Sequence, residues 1–222
     1  MLIYWIRNDF RFLDNEALNY FSNYSGKKMC FYAYDQQKFQ NRSAQKWWLY
    51  KSLTNFRNKL EEKKYTFSFF NEIETISIKN LLKKNQTKQI IWNKVYLPNE
   101  ISIEEEIIKI LNKNNTNYKI FSSNLLLDPQ KTRKKDNTPF QVFTPFWKNE
   151  EDLYLKEYNY KKNNIKSTKS NDNKLYKEFK IILPKKKWYK KFEKYWTVGE
   201  DEAIRKINNF KAKNIFNYDK TR

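Results

Sequence analysis

Residues 1–18 read MLIYWIRNDFRFLDNEAL, and the fold turns on how this stretch is read. The apolar run from Met1 to Ile6 is too short for a membrane span, which takes about twenty residues. It also lacks the basic leader, longer apolar core and small-residue cleavage site of a secretory signal. A strand buried on both faces carries a continuous apolar sequence instead of an alternating one, and Leu2 to Ile6 fits that description. The charged turn RNDFR (7–11) then sits at the carboxyl end of the strand, where open α/β sheets place their ligands. Asp14 or Asn15 follows as the cap of a short helix through Phe21, because a side-chain oxygen there accepts the free N–H groups of the first turn.

Working outward, strand and helix alternate through residue 125 or so. KMCFYAY (28–34), YTFSFF (65–70), a segment within QIIWNKVYL (89–97) and NYKIFS (117–122) read as four more strands. Between them, Ser43 caps a long helix over 43–64. Its apolar residues Trp48, Leu49, Leu53, Phe56 and Leu60 recur at helical spacing and face a sheet. Shorter helices are expected over Ile76–Lys84 and over 101–114. Strict alternation with short connections predicts an α/β fold: a five-stranded, doubly wound, Rossmann-like parallel sheet covered on both faces, with right-handed crossovers. Beyond Leu127 the period is lost until 198, and the polar stretch 158–174 reads as a solvated loop or linker. A helical pattern returns over 199–213, with acids in its first turn and bases in its last. The expected division is 1–127 as an α/β domain, 128–198 as a connector, and 199–222 as a short helical tail that ends abruptly.

The composition narrows the chemistry. The 222-residue chain carries a formal net charge of +20, which draws polyanions and makes nucleic acid the first partner to consider. The same richness in Lys, Asn, Ile, Tyr and Phe is also what an AT-rich coding sequence produces regardless of function. There is no histidine and a single cysteine, so zinc, Cys–His chemistry and an internal disulfide are all excluded. Cys30 lies in an apolar run and reads as a buried core thiol, which suits a reducing cytoplasm. With glycine only at 26 and 199, no Gly-rich phosphate loop can be written.

Three connections leave the rim formed by the carboxyl ends of the strands: RNDFR, DQQKFQNR (35–42) and NKVYLPNE (93–100). Arg7, Asp35, Gln36, Asn99 and Glu100 in these loops could fix a planar, hydrogen-bonding ligand. Element order places strands one and three on either side of the reversal of winding, opening a crevice beside RNDFR. Structural roles compete at each position. Arg7, Asp9 and Arg11 could form an ion pair that locks the turn. Asn99 could simply cap a helix, with Glu100 in its first turn. No nucleophile, base and orienting group can be assembled in this half, which taken alone looks like a binder.

Five stretches together resemble the DNA photolyase/cryptochrome family. YWIRNDFRFLDNEAL is similar to its first strand, R-x-D-L-R turn and D-N-x-A-L helix start, with Phe10 in place of the usual Leu. RSAQKWWLYKSLTNFRNKL resembles its second helix, and WNKVYLPNE its W-N-x-x-Y-x-P segment. LLLDPQKTRKKDNTPFQVFTPFWK resembles its G-x-P-[FY]-x-V-F-T-P-F signature, without the Gly. KYWTVGEDEAIRKINNF resembles the entry to its second domain. The resemblance implies an antenna domain that holds a light-harvesting chromophore, a reduced folate or a deazaflavin. A larger helical domain would hold FAD and the lesion in DNA. In folate-binding members an Asn–Glu pair after strand four contacts the pterin, and Asn99 and Glu100 occupy that position here.

The same resemblance implies what is not expected of this chain. No FAD-binding or lesion-binding motif can be placed in it. Repair of pyrimidine dimers in DNA, which needs an extruded base held in a pocket, is therefore not expected of it alone. A complementary helical polypeptide carrying FAD is the implied partner, and no membrane is. Other functions compete: a light-independent basic nucleic-acid binder using KKKWYKK (185–191), a cryptochrome-like light-sensing fragment, and a nucleotide-binding α/β protein of the universal-stress or electron-transfer-flavoprotein kind. The apolar residues over 125–147 are expected to be exposed.

Overall fold

A computed structural model describes residues 1–122, 125–129, 131–157, 165–167, 181, 183, 187–213 and 215–218. The first half alternates strand and helix throughout: β1 (Leu2–Trp5), α1 (Glu16–Asn23), β2 (Lys28–Ala33), α2 (Ser43–Glu62), β3 (Phe67–Phe70), α3 (Glu74–Lys84), β4 (Gln89–Asn93), α4 (Pro98–Lys113) and β5 (Asn117–Phe121). All four strand pairings are parallel, in the order β3-β2-β1-β4-β5. The continuous apolar reading of β1 has its cause here. Leu2, Tyr4 and Ile6 join Leu18, Phe21, Leu53, Phe56 and Leu60 in a core on the α1/α2 side. Ile3 and Trp5 join Ile78, Leu81, Ile107 and Leu111 in a second core under α3 and α4. Successive side chains of the strand thus enter opposite cores, so neither face tolerates a polar residue.

The strand order corrects one expectation. The winding reverses between β1 and β4, not between strands one and three, because the chain leaves β3 and returns to the free edge of β1. The order of elements along the sequence is the same for either topology. The crevice nonetheless lies beside RNDFR, since β1 flanks the reversal in both.

One alternative left open is decided, and two local expectations shift. Asn15, not Asp14, caps α1, accepting from the Leu18 N–H at 2.9 Å. Asp14 adopts a left-handed backbone (φ 49°) just before it, a conformation that Asp tolerates. Helix α2 begins after Arg42, and no side chain, Ser43 included, caps it. On α2 the buried tryptophan is Trp47, while Trp48 is exposed. Trp47 lies about half a turn away from the Leu49/Leu53/Phe56/Leu60 stripe. It is covered by a 3₁₀ segment (Trp188–Lys194) whose Phe192 ring stands edge-on to it at 5.7 Å.

The stretch 128–198 is not aperiodic, because α5 runs over Phe143–Glu157. Phe143, Phe146 and Trp147 keep helical spacing, and Pro145 falls in the first turn, where a missing N–H costs nothing. Most of 158–174 lies outside the described residues. Within it Ile165 is buried in the α1/α2-side core, and the Tyr65 hydroxyl donates to the Lys166 carbonyl. Leu125, Leu126, Val142, Phe143 and Trp147 are exposed. Finally α6 (Glu200–Lys213) is fastened to the α/β layer. Its Glu200 carboxylate accepts the Phe12 and Leu13 N–H groups at 3.0 and 2.7 Å and the Lys59 ammonium at 3.2 Å. Cys30 is buried and unpaired with any other thiol, and burial pushes its pKa up. Among the described residues no helix is long and apolar enough to cross a membrane.

Candidate functional site

The β1–α1 turn is held by a polar knot beneath it. Asp9 chelates Arg11 through both carboxylate oxygens, at 2.9 and 3.1 Å, which locks the turn as a bidentate pair does. Asn93, at the end of β4, donates to Asp9 at 3.2 Å and to the side-chain amide oxygen of Asn15 at 3.0 Å. Asn15 in turn donates to the Arg11 carbonyl and the Tyr4 hydroxyl. Burial raises the pKa of Tyr4, keeping it a neutral member of this network. The D-N of the opening stretch and the W-N of β4 are therefore one hydrogen-bonded unit across the switch point.

Arg7 takes no part in that knot, against the three-residue lock considered from sequence. It turns to α4 instead. One guanidinium nitrogen donates to Glu104 at 2.9 Å, and the other donates to the Glu100 carboxylate at 2.9 Å and the Glu100 carbonyl at 2.8 Å. The guanidinium also lies 4.3 Å from the Trp5 ring centroid. Glu104 accepts a further bond from the Trp92 indole at 2.7 Å, and the second oxygen of Glu100 accepts from Lys38. Burial pulls the Arg7 pKa down, while Glu100 and Glu104 hold the charged form in place. The four-residue step from Glu100 to Glu104 places both carboxylates on one face of α4, one turn apart.

Above this ion cluster a crevice of about 210 Å³ opens at the strand ends. Loops after β1, β2 and β4 and the first turns of α2, α3 and α4 all reach it, contributing among others Arg7, Asn8, Asp35, Lys38, Arg42, Gln45, Glu74, Leu97 and Glu100. The three loops singled out from sequence do converge. Of the five residues named there, Arg7, Asp35 and Glu100 line the crevice; Gln36 and Asn99 are exposed and do not. Asn99 is not a cap either: Leu97 occupies the cap position, Pro98 begins the helix, and no side chain closes it. Asp35 accepts the Gln37 N–H at 2.9 Å, shaping the loop after β2. Asn8, Lys38, Arg42, Gln45 and Glu74 were missed. Lys38 and Arg42 stand in the quoted loop DQQKFQNR, whereas Glu74 is the first residue of α3, whose arrival at the rim no local pattern signals.

The electrostatics are mixed. Asn8, Arg42 and Gln45 line the crevice as exposed residues and make no side-chain hydrogen bond or ion pair among the described residues. Burial raises the Glu74 carboxyl pKa, with Lys38 and Arg7 pulling against it. No group of three or more metal-ligating side chains occurs among the described residues.

A doubly wound parallel sheet with a polar crevice at its switch point is the place where α/β folds present their ligand sites. The family model for DNA photolyase matches residues 2–162, and the chain belongs to the DNA photolyase family. It is 25% identical over 212 residues to a deoxyribodipyrimidine photo-lyase of Agrobacterium fabrum, covering 94% of this chain and 44% of that protein. Among solved structures it is similar to a bacterial class III photolyase from Agrobacterium tumefaciens, with a TM-score of 0.79 at 23% identity over 94% of this chain and 44% of the other. A Synechocystis cryptochrome superposes with a TM-score of 0.70 at 19% identity, over 83% of this chain and 39% of the other. The chain thus spans less than half the length of these relatives.

Proposed function

We propose that the chain is the light-harvesting part of a deoxyribodipyrimidine photolyase, with the strand-end crevice as its antenna-chromophore site. The observation that carries this reading is the crevice itself, where Asn8, Arg42 and Gln45 present unpaired polar groups beside Glu74. Such a set suits a flat heterocycle with amide-like edges, since an amide or guanidinium donates to its carbonyl and a carboxyl meets its N–H groups. Its volume of about 210 Å³ is below the roughly 300–1,000 Å³ of pockets that enclose a drug-sized molecule. The crevice therefore takes the ring of a reduced folate or deazaflavin and leaves the tail outside.

Arg7 and Glu100 act as the floor of the site in this reading, not as ligands. Their charges are committed to each other, to Glu104 and to Lys38. The bound chromophore would supply absorption of near-ultraviolet or blue light and transfer of that excitation. FAD and the dimer lesion are assigned to a helical domain, in the same or a complementary polypeptide, and DNA repair to the combination. With glycine only at 26 and 199, this chain has no phosphate loop for a dinucleotide. The unpaired thiol of Cys30 suits a reducing cytoplasm.

The test is uptake of chromophore by the purified chain. A near-ultraviolet or blue absorption band should appear on incubation with a reduced folate or a deazaflavin. It should weaken at least about ten-fold in apparent affinity when Arg42 and Gln45 are both replaced by Ala, each lost polar contact being worth about 1 kcal/mol. A folded chain that takes up neither compound would overturn the reading.

A further inference from the structure

We propose that a second surface, formed by the amino-terminal end of α2, the 3₁₀ segment and the residues before α6, binds single-stranded DNA by base stacking. Six aromatic rings run in unbroken contact across it. Tyr189 meets Trp188 at 6.0 Å, Trp188 meets Phe192 at 5.3 Å, and Phe192 meets Trp47 at 5.7 Å. Trp47 then meets Trp48 at 5.9 Å, and Trp48 meets Trp196 at 5.9 Å. Every contact is edge-on, with interplanar angles of 63–79°, so no two neighbouring rings of the ribbon are stacked face to face. Trp47 anchors the ribbon from within at 1% exposure. Trp48, Trp196 and the adjacent Tyr195 stand out at 43%, 54% and 77%.

A surface this aromatic would be an ordinary protein contact if it were neutral, but its charge is one-sided. Lys187, Lys190, Lys191 and Lys194 are exposed and form no ion pair among the described residues. The nearby acids are each neutralised: Glu193 by Lys51 at 2.9 Å, Asp201 by Lys59 at 2.6 Å, and Glu202 by Arg205 at 2.6 Å. Lys206 sits 5.2 Å from the Trp196 ring, adding a cation beside a stacking face. Exposed rings interleaved with unpaired lysines supply the two terms of single-strand binding, stacking of unpaired bases and neutralisation of the backbone. Duplex DNA offers only the second, because its bases are already stacked. DNA is the polymer chosen here because the chain belongs to the DNA photolyase family. This surface shares no residue with the strand-end crevice, so the two proposals stand or fall separately.

The experiment uses the purified chain and fluorescently labelled oligo-dT of about 12 nucleotides, within the length one such platform spans. Anisotropy should show oligo-dT bound at least about ten-fold more tightly than a duplex of equal length. Replacing Tyr195 and Trp196 by Ala should weaken oligo-dT about five-fold to a hundred-fold and leave duplex binding unchanged. Lys190→Gln with Lys191→Gln should flatten the slope of log affinity against log salt by about 1.4. Equal affinity for both nucleic acids with no effect of the Ala pair would overturn the proposal, reducing binding to the net charge. A helical-domain polypeptide whose binding the same Ala pair abolishes would overturn it too, by making the ribbon a protein interface. Circular dichroism of the two variants, whose altered residues are all exposed, checks that the fold is kept.

Discussion

Replacing Arg7 by Met tests whether the ion cluster under the crevice is scaffold. The Arg7 side chain is 2% exposed and donates to Glu100, to Glu104 and to the Glu100 carbonyl. Methionine fills much of the same volume but leaves two carboxylates in the interior, with only Lys38 and the Trp92 indole beside them. Removing one partner of a buried ion pair costs about 3–5 kcal/mol, chiefly because the other charge is left unpaired. Against a total stability of about 5–15 kcal/mol, that is a large fraction. In urea, with a slope of about 3 kcal/mol per molar for a chain this size, the midpoint should fall by about 1–1.7 M with the slope unchanged. The triple variant Arg7→Met, Glu100→Gln, Glu104→Gln removes the stranded charges and should recover most of the loss. A single variant within about 1 kcal/mol of the parent, or a triple variant no better than the single, would refute the scaffold assignment and return Arg7 and Glu100 to the list of ligand-binding groups.

Trp47→Ala should destabilise the chain by about 3–5 kcal/mol, as for a buried aromatic, while Trp48→Ala should cost well under 1 kcal/mol; thermal or urea unfolding ranks the pair. Glu200→Ala strands the Phe12 and Leu13 N–H groups and releases Lys59, so it should cost about 1–3 kcal/mol and expose α6 to limited proteolysis ahead of the sheet. Burial raises the pKa of Glu74 in the folded chain above its unfolded value, so folding binds a proton there and stability contributed by this group falls as pH rises from about 4 through the folded pKa. Glu74→Gln should remove that fall, and unfolding midpoints of the two proteins measured from pH 4 to 7 would converge at the acid end and separate at the neutral end; parallel curves would contradict it.

Several features were legible in the sequence because they are written in short-range periodicity. The strand at Leu2–Trp5 shows as an uninterrupted apolar run because its alternate residues enter separate cores. A cap at Asp14 or Asn15 before α1 and the buried thiol at Cys30 follow from their immediate neighbours. Helix α5 was equally legible in the spacing of Phe143, Phe146 and Trp147, but a proline in its first turn reads as a break unless its position is weighed. At the site, the loops after β1, β2 and β4 were identifiable as rim connections. Their division into Asp9–Arg11 and Arg7–Glu100–Glu104 was not, because charge type at a given spacing does not say which opposite charge it will face.

What the amino-acid order determined by itself is the succession of strands and helices, their faces, and the exclusion of zinc, disulfide and phosphate-loop chemistry. Each of these depends on residues within a few turns of one another or on a residue type being scarce. Tertiary structure alone decided that β4 lies against β1, that Glu74 reaches the crevice from the start of α3, and that Trp47 is covered by a segment some 140 residues further on. Those outcomes rest on which distant surfaces meet when the sheet closes its layers, and a local pattern carries the same signal whichever partner arrives.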